Sequence, residues 1–276
     1  MKVGDSHPMT MEAFTFESVR LDRTGSVIEN ISGSAQVFHE TIAPGLVLTF
    51  VALPGGTFSM GSIKGQGFEE ETPRHLVSLQ PFFIGQFPVT QEQWKAVMGK
   101  AAQGRFSGSR LPVDRISWED ANAFCRKLAK LTGRAYCLPS EAQWEFAARA
   151  GSQTPFSTGE SITTDYANFC GPHRYREEPP GLYRHQTTLV DAFLPNAYGI
   201  YDMQGNLWEW CADRWHADYT AAPFNGEPWE HGGEPGYRVL RGGSWHEPPA
   251  NCRPAVRLRG VETEPDDMYG FRIALN

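Results

Sequence analysis

The sequence lacks the apolar segments that would place it in a membrane. It contains no run of about eighteen apolar residues, the length that a membrane-spanning helix requires. Its first residues, MKVGDSHPMTMEAF, have neither the apolar core nor the small-residue cleavage site of a secretory signal. We therefore expect a cytoplasmic protein without a membrane partner.

A surplus of positive charge is also missing. The chain has 25 Lys and Arg residues against 32 Asp and Glu residues, which gives a formal net charge of -7. Proteins that bind nucleic acids place a basic face or stripe against the phosphates. We therefore expect no nucleic-acid partner.

The cysteines are few and have no regular spacing. The chain of 276 residues has 5, and none falls in a Cys-x-x-Cys pair or in the Cys/His pattern of a zinc site. An odd number leaves at least one thiol without a partner in the chain. For each cysteine the sequence favours the role of a small buried apolar side chain. They are Cys125, Cys137, Cys170, Cys211 and Cys252.

Glycine, proline and tryptophan are abundant, with 28, 20 and 8 residues. This composition is typical of a fold made largely of turns and irregular segments that aromatic side chains hold together. Residues 14–31 alternate apolar and polar around Asp22-Arg23-Thr24-Gly25, which predicts a β-hairpin. We interpret residues 1–45 as an N-terminal extension with this hairpin, and residues 46–276 as one domain.

Three helices are predicted by the signals at their ends. Each begins with a capping box, a Ser or Thr followed three residues later by Gln or Asp, and each ends near a glycine. The capping pairs are Thr90 with Gln93, Ser117 with Asp120 and Ser140 with Gln143, and the glycines are Gly99, Gly133 and Gly151. In the second helix the spacing predicts five core residues. They are Ala121, Phe124, Cys125, Leu128 and Leu131.

After Gly151 the sequence predicts only loops and short strands. Such a length of irregular chain needs a scaffold, a bound ion or a function to justify its ordering. The Trp and Arg residues of this half are predicted to be that scaffold, with the tryptophans packed below the loops and the arginines binding carboxylates and carbonyls. They are Trp208, Trp210, Trp245, Arg241, Arg257 and Arg272.

Seven motifs in a fixed order give the sequence a family resemblance. They are LPGGTFSMGS, PVTQEQW, ISWEDANAFCRKL, YCLPSEAQWEFAARAG, PNAYGIYDMQGNLWEWCAD, RVLRGGSW and GFRIAL. From about Leu46 to Leu275 the chain resembles the formylglycine-generating enzyme family, also called sulfatase-modifying-factor-like domains. The resemblance implies an α+β fold of the C-type lectin kind that is rich in irregular loops.

The resemblance implies a calcium site in the motif DMQGNLWE. The family holds the ion with two side chains, at positions that are Asp202 and Glu209 here, and with the carbonyls at Gly205 and Leu207. Calcium takes about 6–8 oxygen ligands, and one short loop can offer carboxylates and carbonyls together. We expect a structural Ca²⁺ ion; the alternative is that both acids pair with nearby arginines such as Arg241.

The enzymes of this family oxidise a cysteine of a sulfatase peptide to formylglycine, using two thiolates that bind copper(I). Counted from Ser244 of the GGS motif, these two positions are Glu247 and Cys252 here. Copper(I) prefers soft thiolates, and a carboxylate is a hard oxygen donor. We therefore expect no copper, and Cys252 would be catalytic only if the chain were an oxidase. A zinc site of His246, Glu247 and Cys252 is disfavoured, because adjacent side chains of an extended segment point to opposite faces.

Without the first thiolate, the sequence favours a binding module with a protein or peptide ligand. The candidate binding residues form a C-terminal loop face: His246, Glu247, Val256, Leu258, Val261, Glu262 and Met268. An alternative for Val256 and Leu258 is burial in the core. The variable proteins of diversity-generating retroelements end in a pattern similar to RVLRGGSW, CRxAxRxR and GFR, although residues 262–265 depart from their asparagine-rich template. A copper-dependent oxidase and a purely structural domain are the alternative functions.

Overall fold

The computed structural model describes residues 9–276 of the chain, so residues 1–8 of the predicted extension lie outside the described residues. The fold is of the α+β class. The α-helices are α1 (Gln91–Met98), α2 (Trp118–Thr132) and α3 (Glu141–Arg149). The strands are β1 (Glu12–Leu21), β2 (Val27–Ala43), β3 (Leu46–Leu53), β4 (Gly56–Met60), β5 (His75–Leu79), β6 (Phe82–Gly85), β7 (Tyr136–Cys137), β8 (Trp208–Arg214), β9 (Tyr237–Arg241), β10 (Arg257–Val261), β11 (Tyr269–Gly270) and β12 (Ala274–Leu275). Between residues 9 and 276, no helix has the length and apolar character needed to cross a bilayer.

The predicted hairpin is confirmed and forms the edge of the largest sheet. That sheet has the order β1-β2-β3-β6-β12-β7. β1 and β2 pair antiparallel, and Asp22 Oδ1 closes their turn by accepting backbone N–H bonds from Thr24 at 2.8 Å and Ser26 at 3.1 Å. β2 is 17 residues long and continues beyond the hairpin to pair with β3.

The three capping boxes are confirmed, each with both reciprocal hydrogen bonds. Gly99 and Gly133 take the left-handed conformation that ends α1 and α2. α3 ends one residue earlier than predicted, because Ala150 takes the left-handed position with φ 46° and Gly151 follows with φ 82°. The prediction for Leu131 was wrong. It lies at the edge of the apolar stripe in the last turn of α2 and is 57% exposed, whereas the other four predicted residues are buried.

The second half of the chain is built on a smaller sheet with the order β10-β9-β8-β11. Residues 150–207, which precede it, form turns and bends, as the sequence predicted. Trp208, Trp210 and Trp245 are all buried, which confirms their predicted role. Trp210 Nε1 donates to the carbonyl of Ile116 at 2.7 Å and so fixes β8 against the segment that leads into α2.

Buried ion pairs hold the irregular half in place, which confirms the role predicted for its arginines. The pairs are Arg241–Glu145, Arg257–Glu141, Arg253–Glu71 and Arg272–Glu209. Arg241 also donates to the carbonyls of Pro254, Ala255 and Val256. A guanidinium group presents five N–H donors in a rigid fork, so one side chain can bind a carboxylate and a loop backbone together.

Candidate functional site

The segment that the resemblance assigns to copper is a tight loop between β9 and β10. Gly242 and Gly243 adopt φ values of 102° and 77° at its start. A Cβ atom on Gly243 would lie 2.7 Å from Cys252 Sγ, so glycine is required for this close approach. The loop then passes through a 3₁₀ turn, Pro249–Cys252, which buries the cysteine.

Glu247 occupies the first of the two predicted copper positions and is held by hydrogen bonds. Its carboxylate accepts bonds from Asn251 Nδ2 at 2.6 Å and from Trp208 Nε1 at 3.4 Å. Its carbonyl accepts a bond from the backbone N–H of Cys170 at 2.8 Å. The side chain is partly buried, so Glu247 is an ordered, acceptor-only group at this place.

Cys252, at the second position, is fully buried. Its thiol lies 3.9 Å from the carbonyl of Pro248, to which it donates. Burial and, secondarily, the nearby Glu247 carboxylate raise the pKa of the Cys252 thiol well above its usual range. The same two causes raise the pKa of the Cys170 thiol. Since the thiolate is the metal ligand and nucleophile, both groups are poorly disposed to either role.

His246 takes part in an aromatic cluster with Tyr183 and Trp245. It is exposed and hydrogen-bonds the hydroxyl of Tyr183 through Nδ1. The Tyr183 ring lies 3.7 Å from that of His185 and 6.2 Å from that of Trp245, measured between centroids. Across residues 9–276, no group of three or more His, Cys, Asp or Glu side chains is arranged to hold a metal ion.

Phe106 and Arg105 also belong to this cluster. Phe106 packs against Trp245 edge-on at 5.7 Å. Arg105 lies over both rings, 5.2 Å from the Trp245 centroid, and donates to Asp267 at 2.5 Å. The sequence reasoning missed Tyr183, Phe106 and Arg105, because they come from separate loops and no local pattern marks them as neighbours.

The seven residues predicted for the C-terminal loop face are not all brought together. Val256 is buried in the core, so its prediction as a binding residue was wrong and the core alternative holds for it. The other predicted residues are exposed or partly exposed: His246, Glu247, Leu258, Val261, Glu262 and Met268. Leu258 and Val261 lie on β10, whereas Met268 directly precedes β11, and these strands form opposite edges of the smaller sheet.

In the predicted calcium loop, Glu209 pairs with an arginine, but with Arg272 and not with Arg241. Arg272 donates to both carboxylate oxygens, at 2.6 Å and 2.7 Å, and Trp144 Nε1 donates to one of them at 2.7 Å. These bonds fill both lone pairs of Oε2 and leave one lone pair on Oε1. Glu209 is buried at 1% exposure, so its charge is largely compensated inside the protein.

Asp202 has a much poorer set of partners. Its Oδ2 accepts one hydrogen bond from Asn206 Nδ2, at 2.9 Å. Although part of the residue is exposed, desolvation of the carboxylate raises the pKa of Asp202 to about 7. A carboxylate with one amide donor is electrostatically incomplete, and an oxygen-seeking cation would complete it. Asp202 and the remaining lone pair of Glu209 therefore fit the implied ion.

Comparison with known proteins gives these positions a context. The sequence model of one protein family, the sulfatase-modifying factor enzyme 1-like domain, matches residues 39–276 of the chain. The chain is 31% identical to the formylglycine-generating enzyme of Streptomyces coelicolor, over 81% of this chain and 88% of the enzyme. It is also 31% identical to inactive C-alpha-formylglycine-generating enzyme 2 of Bos taurus, over 83% of this chain and 89% of that protein. Serine/threonine-protein kinase pkn1 of Chlamydia pneumoniae is 31% identical over 89% of this chain, which spans only 41% of the kinase.

Two solved structures have similar folds. PvdO from Pseudomonas aeruginosa superposes with a TM-score of 0.74 and 30% identity, covering 86% of this chain and 97% of PvdO. Treponema denticola variable protein 1 superposes with a TM-score of 0.72 and 27% identity, covering 86% of this chain and 98% of that protein. The expected fold class is confirmed, and so are both resemblances, to the formylglycine-generating enzymes and to the variable proteins.

Proposed function

Since the chain belongs to the family of sulfatase-modifying factor enzyme 1-like domains, we propose that it is a binding module of that family, which binds a protein or peptide ligand at its C-terminal loops. The observation that most supports this is the carboxylate of Glu247, at the place that the resemblance assigns to the first copper thiolate. The relative named an inactive formylglycine-generating enzyme is consistent with a member that does not oxidise cysteine.

Glu247 and Cys252 together are a poor site for copper(I). A pair of thiolates binds this soft ion, whereas a carboxylate is hard and is already engaged by Asn251 and Trp208. Deprotonating the buried Cys252 thiol beside a carboxylate would place two negative charges together in a desolvated loop. Copper-dependent oxidation of a sulfatase cysteine is therefore the less favoured function.

The surface around Tyr183 and His246 is the best candidate for the ligand contact. It combines the partly exposed ring of Tyr183 and the exposed ring of His246 with Arg105, and aromatic residues and arginine are enriched where proteins bind each other. The rings below them are packed, so little side-chain freedom is lost on binding. A peptide would place an apolar or aromatic side chain on this surface and a basic group near Glu247.

The substitution Glu247→Cys distinguishes the two proposed functions, a binding module and a copper-dependent oxidase. We expect the wild-type protein to take no copper(I) from a chromophoric chelator, and Glu247→Cys to take one equivalent because it restores a thiol pair with Cys252. Glu264→Cys, at an exposed position in the segment after β10, is the control and should take none. Conversion of a thiol-bearing sulfatase peptide to an aldehyde by the copper-loaded wild type would overturn the proposal.

Ligand binding is tested with a displayed library of random peptides. Peptides enriched on the wild-type protein should bind at least about tenfold more weakly to Tyr183→Ala and His246→Ala, the loss expected when one interface contact of about 1.4 kcal/mol is removed. Glu230→Ala, an exposed residue outside the aromatic cluster, should leave them unchanged. Absence of enrichment, or equal binding to all three variants, would count against a peptide ligand at this surface.

A structural Ca²⁺ ion is part of the proposal. Asp202 and Glu209 would hold it with their free lone pairs, together with the carbonyls of Gly205 and Leu207. The ion would supply the positive charge that the desolvated Asp202 lacks and would stabilise the loop that leads into β8.

The proposal extends to diversification of the ligand-binding segment by a retroelement. The similarity to Treponema denticola variable protein 1 supports it, and so does the RVLRGGSW pattern with its following arginines. The neighbouring DNA decides it. A reverse-transcriptase gene beside a near-copy of the DNA encoding the C-terminal segment would establish diversification, and a sulfatase gene there would instead favour the oxidase.

A further inference from the structure

A recess, which we call the α3 cleft, opens beside the end of α3. Its volume is about 560 Å³, which lies in the range of small-molecule pockets. Its walls come from β4 and the turn after it, the last turn of α3, residues 151–155 and several single residues. Two of these, Arg253 and Ala255, lie in the loop between β9 and β10, just after Cys252. None of the seven residues predicted for the C-terminal loop face lines it.

The wall of the α3 cleft carries more positive than negative charge. It has one acid and four arginines: Glu160, Arg74, Arg149, Arg176 and Arg253. Arg253 is matched by Glu71, at 2.7 Å, and Arg176 faces Glu160 at 3.7 Å. Arg74 is exposed and forms no ion pair with the described residues. The cleft therefore keeps at least one uncompensated guanidinium group.

Arg149 adds a second donor that is already oriented. Its Nε donates to Glu145 Oε1 at 2.8 Å, Nη2 lies 2.7 Å from the same oxygen as an ion pair, and Nη2 donates to the carbonyl of Gly61 at 3.1 Å. Its Nη1 makes no hydrogen bond within residues 9–276. Glu145 also pairs with Arg241, so its single charge is shared between two guanidinium groups. Arg149 can thus bind an anion without reordering its side chain.

Part of the remaining wall of the α3 cleft is aromatic, beside polar residues such as Thr57, Ser59 and Ser152. Phe146 contacts Phe58 edge-on at 5.4 Å and Tyr198 at 5.7 Å, measured between ring centroids. Tyr175 lines the cleft too and packs against Phe156 at 4.8 Å. These rings offer a firm apolar surface beside the two arginines.

We propose that the α3 cleft binds an organic carboxylate that bears an aromatic or apolar group, either as a free acid or as the C-terminus of a peptide. Arg74 and the free Nη1 of Arg149 bind the carboxylate, because charge-assisted bonds to guanidinium are strong and directional. The rings of Phe58, Phe146 and Tyr198 take the apolar group. The net charge of -7 gives the protein no general attraction for anions, so recognition depends on these local groups.

Calorimetric titration with N-acetylphenylalanine tests the proposal, with N-acetylphenylalaninamide as its neutral match. We expect saturable one-to-one binding of the acid and at least about tenfold weaker binding of the amide. Arg74→Gln should weaken binding of the acid about tenfold as well. Arg126→Gln, an exposed arginine on α2, is the matched control and should bind like the wild type. Since Arg74 has no ion pair to lose, its variant is expected to fold, and near-ultraviolet circular dichroism checks this.

Two further arms identify the source of the carboxylate. A tetrapeptide that ends in a free phenylalanine carboxylate should bind at least as tightly as the acetylated amino acid if the natural ligand is a peptide C-terminus, and much more weakly if it is a free acid. His246→Ala should change neither affinity, which separates this site from the C-terminal loop face. The proposal is overturned if the acid does not saturate the protein, if the amide binds equally, or if Arg74→Gln has no effect.

Discussion

The two halves of the chain are ordered by different means. Residues 9–150 contain long paired strands and three capped helices, whose hydrogen bonds follow regular ladders or join near neighbours. Residues 151–276 contain five short strands and long irregular segments. There, ion pairs and hydrogen bonds of side chains fix the chain, as backbone hydrogen bonds do in the first half. The comparison teaches that irregular chain can be fixed in place when charged side chains are buried in pairs.

Most of the buried ion pairs join an acid of the first half to an arginine of the second half. In three of them the first half supplies the carboxylate and the second half the guanidinium group. These are Glu71 with Arg253, Glu141 with Arg257, and Glu145 with Arg241. The irregular half is therefore held by acids that the regular half positions, two of them on α3.

The largest expected effect comes from breaking one of these links. Glu145→Ala should lower the free energy of unfolding by about 3–5 kcal/mol, because it leaves the buried Arg241 without its closest acid. Glu29→Ala removes an ion pair in which both side chains are about half exposed, with Arg20, and should cost less than about 1 kcal/mol. Urea unfolding measures both. Equal effects would mean that the pairs between the halves are not what orders the second half.

Calcium offers a second test of the difference between the halves, because all the proposed ligands of the ion lie in the second half. At about 100 times its dissociation constant, Ca²⁺ should raise the free energy of unfolding by about 2.7 kcal/mol, because it binds the folded state alone. Chelation should reverse the shift in Tm, and Glu209→Gln should remove it. Glu247→Gln is the control and should keep it. A Tm that does not respond to calcium would rule out the ion.

The pH dependence of stability tests a further link between the halves. Asp213 on β8 is buried and accepts the backbone N–H of Glu141 at the start of α3, at 2.7 Å. Burial and the nearby Glu141 raise the pKa of Asp213 to about 7. Because this pKa is above the value of about 3.9 in an unfolded chain, the folded state binds more protons in between.

Stability should therefore fall as the pH rises from about 4 to about 7, by up to about 1.4 kcal/mol per pH unit from this group. Asp213→Asn should flatten that slope in urea unfolding at a series of pH values. Asp218→Asn is the control, because Asp218 is exposed and hydrogen bonds to Thr220 lower its pKa. An unchanged slope in Asp213→Asn would show that this carboxylate is not protonated in the folded protein.

The smallest effect is expected from a local change in the regular half. Ser117→Ala removes the capping bond to the backbone of Asp120 and should cost about 1 kcal/mol. Ser109→Ala, at an exposed serine outside the helices, should cost close to nothing. Thermal unfolding resolves the difference. A cost near that of Glu145→Ala would mean that local signals and buried pairs contribute alike.

The same contrast sets how much of the molecule the sequence could predict. The hairpin and the capping boxes of Thr90, Ser117 and Ser140 were found because each depends on residues a few positions apart. The end of α3 was missed by one residue because Ala150 tolerates the left-handed position that usually selects glycine.

The site was predictable only where a motif specified it. The position of Glu247 follows from counting along RVLRGGSW, but its bonds to Asn251 and Trp208 do not. The choice of Arg272 as the partner of Glu209 depends on how distant segments meet. The burial of Val256 and the α3 cleft were not predictable for the same reason, since each is produced by several separated segments.

The place of β12 has a consequence for how the protein is made. This strand, Ala274–Leu275, lies between β6 and the edge strand β7 in the six-stranded sheet. During translation β6 and β7 leave the ribosome long before β12, so the strand edges that pair with β12 stay without hydrogen-bond partners until it is made. A messenger truncated upstream of Ala274 would yield a chain in which β6 keeps an open edge and β7 has no partner strand, and such exposed edges pair with other chains. Nascent chains released by a stop codon before this strand should therefore aggregate more readily than the full chain, although nearly all of their sequence is intact.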